Sequence, residues 1–165
     1  MKKLLLLINP NAGKGGYRNG LGEELLNFHR AGFSTTVAFT NKHGDAPRIA
    51  AEEDFSDMID ELCDRFGDPP RSAMMLCRIA LVRGLGIAAG MEKVEERERD
   101  VMLSGKNPDL AAVQKLAEKY PGAVRMTIGA MPAITVKKPR GKQTVDLLCE
   151  LLTEYLANLQ KEDTV

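Results

Sequence analysis

The sequence of 165 residues contains no tryptophan, and aromatic side chains make up 5% of it. A surface that stacks nucleic-acid bases on aromatic rings is therefore not expected. The 23 Lys and Arg residues are balanced by 23 Asp and Glu residues, for a formal net charge of +0. A neutral chain offers no bulk attraction to nucleic acid or to membranes. We therefore expect no direct nucleic-acid partner and no membrane partner.

Cysteine is scarce, with three residues at Cys63, Cys77 and Cys149. Their odd number, wide separation and apolar helical surroundings indicate reduced core thiols of a cytoplasmic protein. No pair has the spacing of metal ligands, and His29 and His43 are the histidines available to complete a site. We therefore expect no metal site.

Long hydrophobic runs are absent as well. The apolar run near the N-terminus ends at Asn9-Pro10, so it is too short for a signal peptide or a membrane span. It predicts a buried parallel strand over residues 3–8. A Gly-rich turn follows at 9–16, then a helix ending near Gly32 and a β-branched strand at 33–40. Residues 1–47 therefore predict a βαβ start.

The hydrophobic content of 44% is enough for a globular core in the rest of the chain. Apolar spacing predicts helices over residues 47–66 and 70–84, with Pro70 at the first helical position of the second. That second helix is nearly continuously apolar, so we expect it to be buried over much of its surface. Short strands are predicted at 91–97 and 101–104, and a hairpin at 123–128 and 133–137.

Two further helices complete the prediction. One opens at residues 107–109 and is expected to face Leu110, Val113 and Leu116 inward, and the other covers residues 142–160. The predicted fold class is α/β, or α+β in the larger part: a βαβ fragment followed by about four helices on a small antiparallel sheet. The predicted domains are residues 1–47 and 48–160, with a tail at 161–165.

The segment NPNAGKGG at residues 9–16 is the one enzyme-like motif. A Gly-rich turn between a parallel strand and a helix can expose backbone N–H groups to a phosphate, and Lys14 can add charge. The segment does not match the Gly-x-x-x-x-Gly-Lys-Ser/Thr loop of nucleotide-binding proteins. A purely structural turn and a phosphate site both remain open.

This segment and a later Gly-Asp-Ala at 44–46 resemble the opening of the diacylglycerol kinase and lipid kinase family. The resemblance covers about the first fifty residues and implies a nucleotide-binding half-fold that takes ATP with magnesium. The family's Gly-Gly-Asp-Gly-Thr loop is missing from the sequence, and transfer also needs a catalytic base. The nucleotide-binding residues of this alternative are Asn9, Pro10, Gly13, Lys14 and Gly15.

The segment IDELCDRFGDPP at residues 59–70 predicts a corner between two helices. In it Phe66 is expected to pack, Gly67 to adopt a left-handed conformation after the helix, and the prolines to fix the next entry. Arg65 is expected to form a local charge network with Asp64 and Asp68. The corner residues are Arg65, Phe66, Gly67, Asp68, Pro69 and Pro70.

The corner, together with RIA at 48–50, IALVR at 79–83, KYPG at 119–122 and ITVKKP at 134–139, resembles the C-terminal domain of bacterial transcription-repair coupling factors. The resemblance implies a non-catalytic regulatory domain of DNA repair without a cofactor. Such a domain packs on the module that recruits UvrA and masks it, which is autoinhibition. The joint with the kinase-like fragment falls near residues 47–53, and one continuous helix can cross this chimeric boundary.

A basic cluster, KKPRGK, occupies residues 137–142. It has two interpretations: a solvated strand end, or a surface that touches phosphate. The neutral charge of the whole chain favours the solvated strand end.

Overall fold

The computed structural model describes residues 2–10, 20–41 and 45–159. Within these ranges the chain forms five helices and six strands. No helix among the described residues is both long and apolar enough to cross a membrane. In chain order the elements are β1 (Lys2–Ile8), α1 (Leu21–Arg30), β2 (Phe33–Phe39), α2 (Asp45–Phe66), α3 (Arg71–Ala88), β3 (Lys93–Glu96), β4 (Asp100–Ser104), α4 (Leu110–Lys119), β5 (Val124–Thr127), β6 (Ala133–Lys137) and α5 (Thr144–Asn158).

The N-terminal strands β1 and β2 form a parallel two-stranded sheet. Helix α1 packs against β2, where the rings of Phe28 and Phe33 meet edge to face at 6.5 Å. The sequence predicted a buried first strand, but Ile8 is the one buried residue of β1, and α1 buries none. A two-stranded sheet with one helix has too few neighbours to cover its apolar side chains.

Helix α2 runs without a break across the predicted joint between the two domains. Its start is fixed by the buried Asp45, whose carboxylate accepts a hydrogen bond from Asn41 N at 2.8 Å and pairs with Arg48. Further along, α2 packs closely on α3. A Cβ on Gly84 would lie 2.9 Å from Cβ of Ala51, so the glycine allows this approach of the two helices.

The larger sheet has the strand order β3-β4-β6-β5, and every pair is antiparallel. Val94, Leu103, Ile134 and Met126 are register partners and form one row across it. Leu103 and Ile134 are fully buried. Since side chains alternate between the faces of a sheet, one face points into the core and the other faces outward.

Helices α3, α4 and α5 cover the inner face of this sheet and complete the core. Leu151 and Leu152 of α5 are fully buried. Tyr155 is buried too, and its hydroxyl accepts a hydrogen bond from Asp109 N at 2.7 Å. Burial raises the pKa of Tyr155. This arrangement, together with α2, confirms the predicted fold class.

Several predicted core positions are exposed. Helix α3 was expected to be buried on much of its surface, yet Leu76, Ile79 and Ile87 are exposed. Leu110 was expected to face inward and is also exposed. Cys63 was expected in the core and lies at the surface, whereas Cys77 is buried and Cys149 half-buried; all three are free thiols. Helices α2 and α5 and the sheet cover the other sides of α3, and the side that carries these three residues stays in solvent.

Candidate functional site

One face of α2 carries carboxylates at the spacing of helix neighbours. Asp57, Asp60, Glu61 and Asp64 fall on this side, which we call the acidic face of α2. The Glu61 side chain is 62% exposed and that of Asp57 43% exposed. Phe55 and Ile59, on another side of the helix, line a groove shared with α3 and α5, and Asp60 of the acidic face also lines it. The apolar side of α2 therefore binds the domain, and its acidic face is presented to solvent.

Two cations contact the acidic face. Lys3 Nζ of β1 lies 2.5 Å from Asp57 Oδ1, and Arg65 lies 2.6 Å from Glu61 Oε1. The pKa of Lys3 is raised, chiefly because it donates a hydrogen bond to Asp57, while the charges of Asp60 and Asp64 add to the effect. Asp60 and Asp64 make no ion pair within the described ranges. The face therefore keeps an excess of negative charge.

The corner after α2 closes around Gly67. Its φ of 74° is left-handed, as predicted, and its N–H donates to Cys63 O at 2.9 Å. A residue in this conformation ends the helix and turns the chain. Pro70 was expected at the first helical position of α3, but its ψ of 155° is extended, so it is the N-cap residue and Arg71 begins the helix.

Two other expectations for the corner were wrong. Phe66 was expected to pack, yet it is 78% exposed. It is the last residue of α2 and is not among the residues that line the groove with Phe55 and Ile59. Arg65 was expected to pair with Asp64 and Asp68, and it instead contacts Glu61, because residues four apart are neighbours on a helix. At about 100° per residue, Phe66 lies on the same side of α2 as Phe55 and Ile59. The end of the helix therefore presents an aromatic ring on the side opposite the acidic face.

Substitution of Gly67 tests this geometry. Gly67→Val is expected to lower the free energy of unfolding by about 1–3 kcal/mol, because a β-branched residue is strained at positive φ. Gly129→Val is the matched control: Gly129 also has open space around the Cβ position, but no positive φ. Urea unfolding should show a lower midpoint for the first variant than for the second. Equal midpoints would show that Gly67 carries no strain.

The predicted nucleotide site falls partly outside the described residues. Asn9 and Pro10 follow the end of β1. Gly13, Lys14 and Gly15 lie outside the described ranges. A phosphate site at this turn therefore stays a prediction.

Among the described ranges no three His, Cys, Asp or Glu side chains are grouped so as to hold a metal ion. His29 lies in the last turn of α1, and His43 is outside the described residues. Cys149 lines the groove between α2, α3 and α5, where burial raises the pKa of its thiol. Arg78 and Asp146 form an ion pair in the same groove and serve to join α3 to α5.

The sequence contained part of the signal for the acidic face. The positions 57, 61 and 64 lie on one side of any helix, and their types are visible in the sequence. The exposure of Phe66 could not be predicted from the sequence. Apolar residues at helical spacing show which side of a helix is covered, but they do not show where along the helix the covering neighbour ends.

A family model described as the TRCF domain matches residues 46–116, which is less than half of the chain. This range includes nearly all of α2, the corner, α3, the hairpin of β3 and β4, and part of α4. None of the curated proteins matches.

Among solved structures, the C-terminal domain of a transcription-repair coupling factor is similar, with 19% identity and a TM-score of 0.44. The similarity covers 64% of this chain and 70% of that chain. The family match supports the coupling-factor resemblance over residues 46–116. It does not include residues 1–45, so the lipid-kinase resemblance there stays a prediction.

Proposed function

We propose that this chain is a non-catalytic protein-interaction domain of transcription-coupled DNA repair, and that it acts in the cytoplasm by masking the UvrA-recruiting module of a coupling factor. The TRCF family match at residues 46–116 supports this class of domain. The observation that carries the proposal is that the acidic face of α2 and the ring of Phe66 are both exposed, inside the matched range.

The composition of this surface suits a protein partner. An exposed aromatic ring has the make-up of an interface anchor, and exposed charged groups on the same helix have that of a polar rim. Phe66 leaves 78% of its surface in water in the free chain. We therefore expect the partner to reach around the end of α2, with an apolar pocket for Phe66 and with Lys or Arg side chains that meet Glu61 and Asp64.

Charge would set the approach and orientation of that partner. Complementary charges increase association rates and fix register more than they increase affinity. Lys3 of the N-terminal sheet forms an ion pair with Asp57. It therefore competes with the basic side chains of a partner for this carboxylate of the acidic face. Removing this lysine should therefore strengthen the interaction modestly.

The proposal assigns no enzymatic step and no cofactor to the chain. The groove between α2, α3 and α5, of about 620 Å³, contains two ion pairs. Arg78 with Asp146 joins α3 to α5, and Lys142 with Glu150 ties the segment before α5 to that helix. The thiol of Cys149 in that groove has a raised pKa, which disfavours the reactive thiolate. Binding, rather than chemistry, is therefore the activity to test.

A competition assay tests the proposal. The chain should bind the isolated UvrA-recruiting module of a coupling factor, and UvrA should displace it. A domain that lacks the tether of a longer protein loses effective concentration, so we expect a Kd of micromolar or weaker. A pull-down at high protein concentration, repeated with UvrA, measures both results. If a folded sample does not associate even at hundreds of micromolar (several orders weaker than typical tight complexes), the proposed function is wrong.

A further inference from the structure

A second charged surface lies far along the chain from the acidic face of α2. It is a concave region of about 920 Å³, which we call the basic cleft. Six basic and two acidic side chains line it. They come from the turn between β3 and β4 with the first residue of β4, from β5, and from the last residue of β6 with the segment that joins it to α5: Glu98, Arg99, Asp100, Arg125, Lys137, Lys138, Arg140 and Lys142.

The fold brings these separated residues together. Arg125 has its neighbours Val124 and Met126 packed against the core, so its own side chain points to the outer face of the sheet. Lys137 lies on the same face, beside Asp100 in register. The backbone N–H of Lys138 donates to Arg99 O at 2.9 Å, which holds the two turns next to each other.

Part of the positive charge is already neutralised. Lys138 Nζ lies 2.8 Å from Glu96 Oε1, and Lys142 pairs with Glu150. The pKa of Glu96 is lowered, because Lys138 and Thr144 donate hydrogen bonds to it. These pairs are satisfied within the domain, so they do not make the cleft attractive to an anion.

Of the four remaining cations, Lys137 has the acidic Asp100 as its register partner, which leaves three guanidinium groups available. Arg99, Arg125 and Arg140 are exposed, and none makes an ion pair in the part of the chain that the structure describes. A guanidinium presents paired N–H donors that match two oxygens of one phosphate. Three such groups around one concavity provide positions for several phosphates. Two of them, Arg99 and Arg125, lie outside the basic cluster at residues 137–142 that the sequence shows.

We propose that the basic cleft binds the phosphodiester backbone of a single-stranded nucleic acid. A flexible strand can enter a concave surface, whereas a flat bilayer would contact only the rim of the cleft. No aromatic side chain lines the cleft, so stacking contributes nothing and binding is independent of base sequence. The net charge of the chain is +0, so attraction to a polyanion arises from this local arrangement rather than from bulk charge.

Salt dependence provides the first test. Anisotropy of a fluorescein-labelled oligothymidylate is titrated with the full chain at several salt concentrations. Each phosphate contact contributes about 0.7 to the slope of log Kobs against log salt, so three contacts predict a slope of about −2. Arg125→Gln and Arg140→Gln should each reduce the slope by about 0.7 and weaken binding several-fold. Lys115→Gln, at an exposed position of α4, should change neither quantity.

Removal of an acid provides the second test. Glu98→Gln should tighten binding, because this carboxylate lines the cleft. Glu118→Gln makes the same change of net charge on α4, outside the cleft, and should have no effect. Equal effects of the two variants, or equal loss from Arg125→Gln and Lys115→Gln, would overturn the proposal. So would equal affinity for poly-glutamate or for vesicles containing phosphatidylserine. Circular dichroism of each variant confirms that it is folded.

This inference is independent of the function proposed above. The acidic face of α2 and the basic cleft share no residues, so substitutions at Glu61 and Asp64 should leave oligothymidylate binding intact or slightly stronger. Loss of nucleic-acid binding would leave the coupling-factor proposal unaffected, and the reverse also holds.

Discussion

Replacing Leu152 with alanine is expected to lower the free energy of unfolding by about 2–5 kcal/mol. Leu152 is fully buried on α5, in the cluster that joins α3, α4 and α5 to the inner face of the sheet. Truncation removes apolar contacts and leaves a cavity that the packed neighbours fill only partly. Urea unfolding of the two proteins measures the difference.

Leu110→Ala is the matched control for this prediction. It makes the same chemical change on a helix of the same domain, but Leu110 is 65% exposed. We expect a change within about 0.5 kcal/mol, as for ordinary surface positions. If both variants lose stability equally, the core is not centred on α5 and the sheet.

The second large effect is expected on dividing the chain. Residues 45–159 should unfold cooperatively as a separate polypeptide, because almost the whole buried core lies within them. Residues 1–44 should show no cooperative transition. Ile8 is the one described residue among them that is buried, and an isolated two-stranded sheet is marginal in water.

Thermal melts followed by circular dichroism measure both parts. The cut before Asp45 keeps α2 whole, whereas a cut at the predicted boundary between 47 and 48 would remove its first turn. A piece cut at 48 should therefore melt lower than the piece cut at 45, since it lacks the ion pair of Asp45 with Arg48. A cooperative melt of residues 1–44 alone would show that this segment folds without residues 45–159, contrary to our expectation.

The sequence predicted the element order well where two local signals agreed. The hairpin of β5 and β6 combined β-branched residues with a Gly- and Pro-containing connection, and the structure pairs these strands antiparallel. The start of α4 was predicted at residues 107–109, and Asp109 is its N-cap, accepting a hydrogen bond from Ala112 N at 2.8 Å. Turns and helix caps depend on residues that are close in the sequence, so they can be predicted from a single sequence.

Burial was harder to predict, because it depends on which neighbours the fold supplies. The composition of α3 is apolar nearly all round, yet Ile79 and Ile87 are exposed because α2, α5 and the sheet cover its other sides. The same reason applies to β1, whose run of leucines predicted full burial. A short sheet with a single helix cannot provide it.

The two candidate surfaces differ in how visible they were. The acidic face of α2 follows from helical spacing and could be read once the helix was known. The basic cleft needed the register of β4, β6 and β5, which brings Arg99 and Arg125 to the 137–142 cluster from distant positions. Composition alone, with its net charge of +0, argued against such a surface.

The function proposed for the chain is tested most directly by calorimetric titration of the UvrA-recruiting module into wild type and into a Glu61→Lys, Asp64→Lys variant. The proposal predicts measurable binding to wild type and a loss of about tenfold or more in the variant, equivalent to about 1.4 kcal/mol. Glu118→Lys, with its charge reversal on α4, should bind like wild type. Equal affinity of all three folded proteins would contradict an interface on the acidic face of α2, and no binding to any of them would contradict the proposed function itself.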